Sequence, residues 1–262
     1  GCILKDKIKA KEAYYHVGKS KLVLYEGPKS LKDATKEDLE ATSENQRDFS
    51  LMHCVDTSIS VNGKELYVYD TNVNNSHSWV SNYLPSMSRT PMTYFDFEGT
   101  VLIEVKVPEI NINKVQISPQ KYGVEPKVDK KDHKITFPIS QADTYTIVFN
   151  DSADRAIHIF ANPLEENPLK EGDEGVVYIG PGEWNIENIS LEENQTLYIS
   201  GGAVVHGTIQ GNHVENVTVR GRGIIDGSLF EGWQGKTANV PINFTQCKNV
   251  NVGDVIFLNS NA

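Results

Sequence analysis

Residues 58–69 alternate between polar and apolar side chains on both sides of a turn pair. Ser58–Val61 alternates, Asn62-Gly63 follows, and Leu66–Tyr69 alternates again. Both central residues of a two-residue hairpin turn need a positive φ angle, which Asn and Gly tolerate better than other residues. The pattern therefore predicts a β-hairpin at this position.

Further short apolar runs follow at close spacing, with turn residues between them. The predicted strands are Thr93–Phe97, Thr100–Val107, Lys134–Ile139, Thr144–Phe149 and Ala156–Phe160. Short strands at this spacing are typical of an antiparallel β-sandwich. Its end is predicted in the polar segment 162–168, which contains two prolines and has the composition of a linker. Helical periodicity is weak, and one short helix is predicted around Thr35–Ala41.

After residue 170, apolar triplets recur with a period of twenty residues: Val177–Ile179, Leu197–Ile199 and Val217–Val219. Two other sets repeat at the same interval, Ile189 with Ile209 and Leu229, and Val204-Val205 with Ile224-Ile225. A period near twenty with several short strands in each unit indicates a β-solenoid, whose units bury their apolar residues only by stacking.

The next triplet, Val250–Val252, begins thirty-three residues after Val217. An insertion of about a dozen residues, placed at Phe230–Val240, accounts for the longer interval and predicts a loop on one face of the solenoid. Asn216 and Asn249 each precede a triplet by one residue. Stacked Asn side chains can hydrogen-bond to one another, so these two residues are predicted to form a structural ladder.

The sequence thus predicts an all-β protein. Residues 1–50 form an N-terminal segment of undefined structure, residues 51–165 an N-terminal antiparallel β-sandwich, and residues 170–262 the first coils of a right-handed parallel β-helix. The final strands would leave backbone donors and acceptors open, so the helix is expected to be truncated and the chain to be a fragment.

The charge and composition of the chain limit the classes of molecule that it is expected to bind. The formal net charge of the 262 residues is −10, and residues 170–262 contain eleven acids and five bases. Because phosphate binding needs a basic surface, nucleic acid is excluded as a partner, and a strongly polyanionic saccharide is disfavoured. No run approaches the roughly 18 apolar residues of a membrane helix.

The three cysteines, Cys2, Cys54 and Cys247, are too scattered for a disulfide framework or a zinc site, and buried free thiols are predicted for the last two.

The first two residues, Gly1-Cys2, allow two interpretations. They match the pair at a bacterial lipoprotein cleavage site, where Cys2 would carry the lipid anchor. They are also compatible with an arbitrary boundary in which Cys2 has no role. The first interpretation predicts a periplasmic or cell-surface lipoprotein.

Several segments resemble the first coils of polygalacturonase-type glycoside hydrolases. They are Tyr198–Val205, Val219–Gly227, Asn249–Val252 and Leu258–Ser260. The preceding segments Phe95–Gly99 and His158–Pro163 are similar to the two-domain arrangement of dextranase and isopullulanase relatives. The resemblance is specific over about 175–262 and looser over about 54–165.

The resemblance implies hydrolysis of a polysaccharide in a groove along a β-helix, in a secreted or surface-bound protein. These families use two separated carboxylates in an inverting mechanism, one as the acid and one to activate water. Their acids lie in an Asn-x-Asp segment and a following Asp-Asp pair, and neither motif occurs after residue 175. No catalytic residue is therefore carried over, and this chain alone is expected to be inactive. The alternatives are a non-catalytic carbohydrate-binding protein and a pectate lyase, although the acid cluster for calcium expected of the lyase is not seen.

Asp226 and Asp254 are the acids that could replace the missing pair. Asp226 follows its strand whereas Asp254 precedes the next one, and Asp226-Gly227 is an ordinary turn dipeptide. Neither is assigned a catalytic role. His206 and His213 are interpreted as isolated, without the spacing of metal ligands, so neither a metal nor a cofactor is expected.

The predicted insertion contains the one candidate binding residue, Trp233. Its ring has polar neighbours on both sides in the sequence, and sugar rings are usually held by an aromatic face with hydrogen bonds at the rim. We predict that Trp233 contacts a polysaccharide or oligosaccharide. The alternative is that Trp233 packs the loop onto the coil beneath it.

Overall fold

The computed structural model of the chain describes residues 19–40, 50–74, 87–227 and 242–258, with the side chains of 72–74 and 87–88 outside the description. The first twelve strands are β1 (Lys21–Val23), β2 (Met52–His53), β3 (Ser58–Val61), β4 (Lys64–Glu65), β5 (Tyr69–Asn74), β6 (Met87–Glu98), β7 (Val101–Lys106), β8 (Val115–Ser118), β9 (Lys127–Asp129), β10 (Lys134–Ile139), β11 (Asp143–Phe149) and β12 (Ser152–Pro163). The remaining strands are β13 (Val176–Ile179), β14 (Gly182–Ser190), β15 (Thr196–Ile199), β16 (Ala203–Asn212), β17 (Glu215–Gly221), β18 (Ile224–Asp226), β19 (Ile242–Thr245), β20 (Lys248–Val252) and β21 (Ile256–Leu258).

The predicted helix is present as α1 (Lys36–Glu40). Thr35 and Asp38 cap its first turn reciprocally. The backbone N–H of Asp38 donates to Thr35 Oγ1 at 3.2 Å, and that of Thr35 donates to Asp38 Oδ2 at 2.7 Å. Such an exchange satisfies donors that a helix start leaves open, which explains why so short a helix begins here. Among the described residues, no helix is long and apolar enough to cross a membrane.

The chain forms two compact units. The first contains Gly1–Tyr25, Cys54–Asp70 and Ser88–Glu165, and the second contains Glu26–His53, Thr71–Met87 and Glu166–Ala262. Each unit is therefore built from segments that are separated along the chain.

The first unit contains two β-sheets. One has the strand order β4-β3-β7-β10-β9, and its four strand pairings are antiparallel. The other contains the order β6-β12-β11-β8, with β1 also paired to β6. The predicted hairpin turn is confirmed, because β3 and β4 pair through Asn62 and Gly63, with φ angles of 50° and 76°. The predicted second strand, Leu66–Tyr69, is wrong in its bounds, since the strand that pairs is Lys64–Glu65 and Tyr69 begins β5.

The prediction of a purely antiparallel sandwich is wrong at one pair, since β12 runs parallel to β6 with Phe160 opposite Tyr94. Alternation in a sequence specifies which face of a strand is buried, but it carries no information about strand direction. The apolar faces of both sheets contribute to one buried cluster, which includes Ile59, Phe95, Ile103, Phe137 and Ile157.

The second unit contains stacked coils of a parallel β-helix. Its two sheets have the strand orders β13-β15-β17-β20 and β14-β16-β18-β21, with β19 also paired to β16, and all these pairings are parallel. The core between them includes Leu197, Val205, Ile209, Val219 and Ile225. The fold class predicted from the sequence is thereby confirmed as all-β with a parallel β-helix.

Most of the predicted stacking is confirmed: Val177 lies opposite Leu197, Ile189 opposite Ile209, Val204 opposite Ile224, and Val217 opposite Val250.

Two predicted stacking pairs are wrong. Leu197 lies opposite Val219 and not Val217, so one coil contains two more residues than the twenty-residue period assumes. A shift of two residues preserves the inward and outward alternation, so the pattern could not detect it. Ile209 stacks on Ile242, and Leu229, the predicted partner, lies outside the described residues.

The Asn ladder is confirmed and is longer than predicted. Asn249 Nδ2 donates to Asn216 Oδ1 at 2.7 Å, and Asn216 Nδ2 donates to Asn194 Oδ1 at 3.1 Å. The φ angles of Asn194, Asn216 and Asn249 are 62°, 57° and 52°. Asn tolerates this left-handed conformation better than other residues with a side chain, apart from Asp. The ladder therefore joins three coils at a sharp corner of the backbone.

Replacing the central Asn216 with Ala tests the ladder. Both amide hydrogen bonds would be lost and Ala would take a left-handed φ angle, so we expect a loss of about 1–2 kcal/mol in the free energy of unfolding. Urea unfolding measures the change. Asn212→Ala, at an exposed residue outside the ladder, should change stability by less than about 0.5 kcal/mol. Equal effects of the two substitutions would contradict a stabilising ladder.

Candidate functional site

His206 is the residue for which sequence interpretation fails most clearly, because it is not isolated. Its Nδ1 lies 2.8 Å from Asp226 Oδ2 and its Nε2 lies 2.6 Å from Glu183 Oε2. The His206 side chain is 4% exposed and that of Asp226 is fully buried, while that of Glu183 is 24% exposed. Three titratable side chains from β14, β16 and β18 thus form one hydrogen-bonded cluster.

The register of the strands produces this cluster. His206 lies opposite Asp226 in the β16–β18 pairing, two residues after the predicted pair Val204 and Ile224. Val205 points into the core, so His206 must point to the opposite face of the sheet. Each ring nitrogen of His206 faces a carboxylate, and only an imidazolium can donate to both.

The pKa of His206 reflects that arrangement. Burial alone would lower it, but the hydrogen bonds and negative charges of Asp226 and Glu183 raise the pKa above its ordinary value of 6.5. The folded protein therefore favours the imidazolium form of His206, in which both ring nitrogens carry a proton.

The interpretation of Asp226 as a simple turn residue is also incomplete. Asp226 ends β18, is inaccessible to solvent and accepts a hydrogen bond from His206. Asp254 is exposed and forms an ion pair with the buried Arg222, with 3.5 Å between Oδ2 and Nη1. Ile224 pairs with Ile256, which places the two acids toward opposite ends of adjacent strands. They do not face each other across a space that could hold a glycosidic bond.

A group of six neutral polar side chains lines the outer face of β14, β16 and β19, and we call it the polar strip. Its members are Asn188, Ser190, Thr208, Gln210, Asn243 and Thr245, of which all except the half-buried Thr208 are exposed. Gln210 Nε2 donates to Ser190 Oγ at 3.0 Å, which joins two neighbouring coils. Coils in such a stack repeat about every 4.8 Å, so the strip presents amide and hydroxyl groups at regular intervals.

Trp233, the predicted binding residue, lies outside the described residues, and its contact with a saccharide stays a prediction. The described residues stop at Gly227 and resume at Ile242 in β19, so the segment containing Trp233 directly precedes a strand of the polar strip in the sequence. The sequence analysis did not identify the strip, because isolated Asn, Ser and Thr residues are common on exposed strands.

One group in the first unit has the donor atoms of a cation site. The Sγ of Cys54 and carboxylate oxygens of Asp56 and Asp70 lie within 4.8 Å of one another. The guanidinium of Arg155 already contacts all three side chains, including Asp70 through Nη1 at 3.1 and 3.0 Å. A protein cation therefore fills the position that a metal would take.

Cys54 in this group is buried, as predicted from the sequence, whereas Cys247 is half-buried. Burial, together with the negative charges of Asp70 and Asp56, raises the pKa of the Cys54 thiol to about 12. Cys54 is consequently a neutral thiol at physiological pH and a poor metal ligand or nucleophile.

No protein-family model and no curated protein matches the chain. Among solved structures, Dex49A from Penicillium minioluteum is similar, with a TM-score of 0.56 and 14% sequence identity. The match covers 88% of this chain and 58% of the Dex49A chain, so this chain corresponds to little more than half of that protein. At this identity the likeness shows a shared fold.

Proposed function

We propose that this chain is the N-terminal part of a polysaccharide-degrading glycoside hydrolase of the polygalacturonase and dextranase type, and that its polar strip binds a neutral polysaccharide. The observation that carries the proposal is the shared fold with Dex49A, a dextranase with a parallel β-helix, over 88% of this chain. The resemblance of segments such as Tyr198–Val205 and Val219–Gly227 to the same group of hydrolases also supports it.

The chemistry of the polar strip fits a neutral glycan. Its amide and hydroxyl groups can both donate and accept hydrogen bonds, as sugar hydroxyl groups do. None of its six residues is charged, whereas the chain as a whole carries a formal net charge of −10. Repulsion by that charge disfavours a polyanion such as polygalacturonate. An aromatic ring at Trp233 would add the apolar contact that sugar faces favour.

The arrangement of Asp226 and Asp254 does not favour hydrolysis by this chain. Inverting hydrolases hold their two carboxyl groups about 6.5–9.5 Å apart with a water between them. Asp226 is buried against His206, and Asp254 pairs with Arg222 on a different corner. We therefore assign hydrolysis to residues outside this chain, which matches 58% of the Dex49A chain. Because such polysaccharides lie outside cells, the protein would be secreted or held at the cell surface, with Cys2 as the proposed lipid attachment site.

Reducing-sugar assays test where hydrolysis resides. We expect no release above the buffer level from dextran, pullulan or polygalacturonate by the 262-residue chain, and release from a neutral glucan by the longest product of its gene. Release by the short chain that Asp226→Asn abolishes would return catalysis to the described acids. Binding without hydrolysis by both proteins would favour the non-catalytic carbohydrate-binding alternative.

Trp233→Ala tests the binding surface. We expect about tenfold weaker binding of dextran in affinity electrophoresis, the effect of losing about 1.4 kcal/mol of ring contact. The free energy of unfolding should stay within about 1 kcal/mol. Trp184→Ala is the matched control, since Trp184 is exposed and lies outside the strip, with its Nε1 donating to the Gly180 carbonyl. A large loss of stability with unchanged binding would show that Trp233 packs the loop instead.

A further inference from the structure

Residues 26–34 form a segment that packs on the outside of the β-helix within the second unit, and we call it the docking segment. A side chain at Gly202, whose φ angle is 85°, would overlap the carbonyl oxygen of Glu26, so the two backbones touch directly. Leu31 and Ala34 of the segment are buried. The Ala34 N–H donates to the carbonyl oxygen of His53 at 2.8 Å, which secures the far end of the segment.

The docking segment is also joined to the cluster around His206. Ser30 Oγ donates to Glu183 Oε1 at 2.8 Å, and the other oxygen of the same carboxylate lies 2.6 Å from His206 Nε2. The chain of hydrogen bonds therefore runs from Ser30 through Glu183 and His206 to the buried Asp226. Glu183 therefore connects the proton on His206 Nε2 with the hydrogen bond from Ser30 of the docking segment.

We propose that Glu183, His206 and Asp226 form a proton-binding site that holds the docking segment on the β-helix at low pH and loosens it as the pH rises. With two protons on the ring, His206 donates to both carboxylates and fixes the orientation of Glu183 toward Ser30. When one proton leaves, a ring nitrogen with a lone pair faces a carboxylate oxygen, and that contact becomes repulsive. The single proton left on the ring can then be donated to only one of the two carboxylates, and Glu183 can turn toward solvent.

The sign of the pH dependence follows from the direction of the pKa shift. Hydrogen bonds and negative charge raise the pKa of His206 in the folded protein above its ordinary value of 6.5, against the effect of burial. The stabilising contribution is therefore complete below pH 6.5 and is lost as the pH rises through the higher folded value.

The other charged groups near the Glu183, His206 and Asp226 cluster determine which control variants the experiment needs. On the docking segment they are Glu26, Lys29, Lys32 and Asp33, and β21 contributes none. Arg222, which precedes β18, pairs with Asp254. The other histidine beside the segment is His53, whose Nδ1 lies 2.7 Å from Asp33 Oδ1 in a largely exposed pair. His53 is therefore varied separately.

Hydrogen–deuterium exchange of residues 26–34 tests the proposal, with rates corrected for the intrinsic effect of pH. Between about pH 5 and about pH 9, we expect protection in the unmodified protein to fall about tenfold, the effect of losing a charge-assisted hydrogen bond. His206→Gln should flatten this profile, and His53→Gln should retain it. A flat profile in the unmodified protein, or the same fall in His206→Gln, would overturn the proposal.

Direct titration of the unmodified protein keeps the test independent of any folding defect in a variant. NMR of the His206 ring should show a midpoint above 6.5, moving downward in Glu183→Gln because a neutral amide replaces the carboxylate. A midpoint below 6.5 in the unmodified protein would also overturn the proposal.

Discussion

Arg155→Met is expected to lower the free energy of unfolding by about 3–5 kcal/mol, the usual cost of removing one partner from a buried ion pair. Arg155 donates to both carboxylate oxygens of Asp70, which is fully buried, and to the carbonyl oxygen of Arg89 at 3.0 Å. Met has a comparable length but no charge. The variant would leave Asp70 with the Arg89 contact, in which Nε lies 3.4 Å from Oδ1.

The loss should depend on pH in a direction that identifies Asp70 as its origin. Burial raises the pKa of Asp70 above its ordinary value of 3.8, although Arg155 and Arg89 oppose this effect. Without Arg155 the folded pKa rises further, so the folded variant binds a proton more tightly than its unfolded chain does. Its stability therefore increases as the pH falls through that higher value toward 3.8, and the deficit should be smaller near pH 4 than near pH 7.

Chemical denaturation at the two pH values measures both effects. Lys134→Met is the matched control, because it removes a half-buried partner of Glu104, 2.9 Å away, from the same unit. We expect it to cost less than about 1 kcal/mol. Equal losses for the two variants, or a pH-independent loss for Arg155→Met, would show that the buried network does not carry the stability assigned to it.

Gly221→Ala is expected to destabilise the β-helix unit by about 3 kcal/mol or more. Gly221 ends β17 with a φ angle of 129°, a conformation that costs residues with a side chain about 1–3 kcal/mol. An added Cβ would also overlap the backbone of Ile199 in the coil below. Ile199 belongs to the core and cannot move aside without displacing β15, so overpacking adds to the strain.

Gly253→Ala provides the comparison within the same stack of coils. A Cβ at Gly253 would meet no atom within 4 Å among the described residues, and we expect a change of less than about 1 kcal/mol. Thermal unfolding followed by circular dichroism measures both variants. If they unfold alike, close backbone approach at Gly221 is not what fixes the spacing between coils.

The predictable parts of the fold are those that the alternation of apolar and polar residues and the identity of the turn residues determine. The hairpin at Asn62-Gly63 and the pairing of Val204 with Ile224 were predicted correctly because side-chain period and turn residues determine them locally. The two-residue error at Val219 could not be avoided in this way, since both registers bury the same face.

The histidine cluster could have been found in part. Once Val204 was aligned with Ile224, counting two residues further along each strand places His206 opposite Asp226. The contribution of Glu183 required knowledge of the β14–β16 register, in which Glu183 lies opposite Val204 at an interval of twenty-one residues. Interpreting each histidine by its sequence neighbours alone missed a contact that the coil repeat had already implied.

No pattern in the sequence indicates the ion network of the first unit. Arg155, Asp70 and Asp56 come from distant parts of the chain, and no periodic pattern relates them. Charged residues in strand-rich sequences are usually exposed, so nothing distinguished Asp70 as a buried acid before its tertiary contacts were known.

The strand β16 offers an opportunity for protein engineering. Its first half pairs with β18 and its second half with β19, the two strands that flank residues 228–241. Both ends of that segment are therefore fixed by the same strand, and doubling the length between them should cost only about 0.6 kcal/mol in closure entropy. Foreign sequences could be grafted between Gly227 and Ile242 with little effect on the coils, and a library of such grafts would make the protein a scaffold for selecting new saccharide binders.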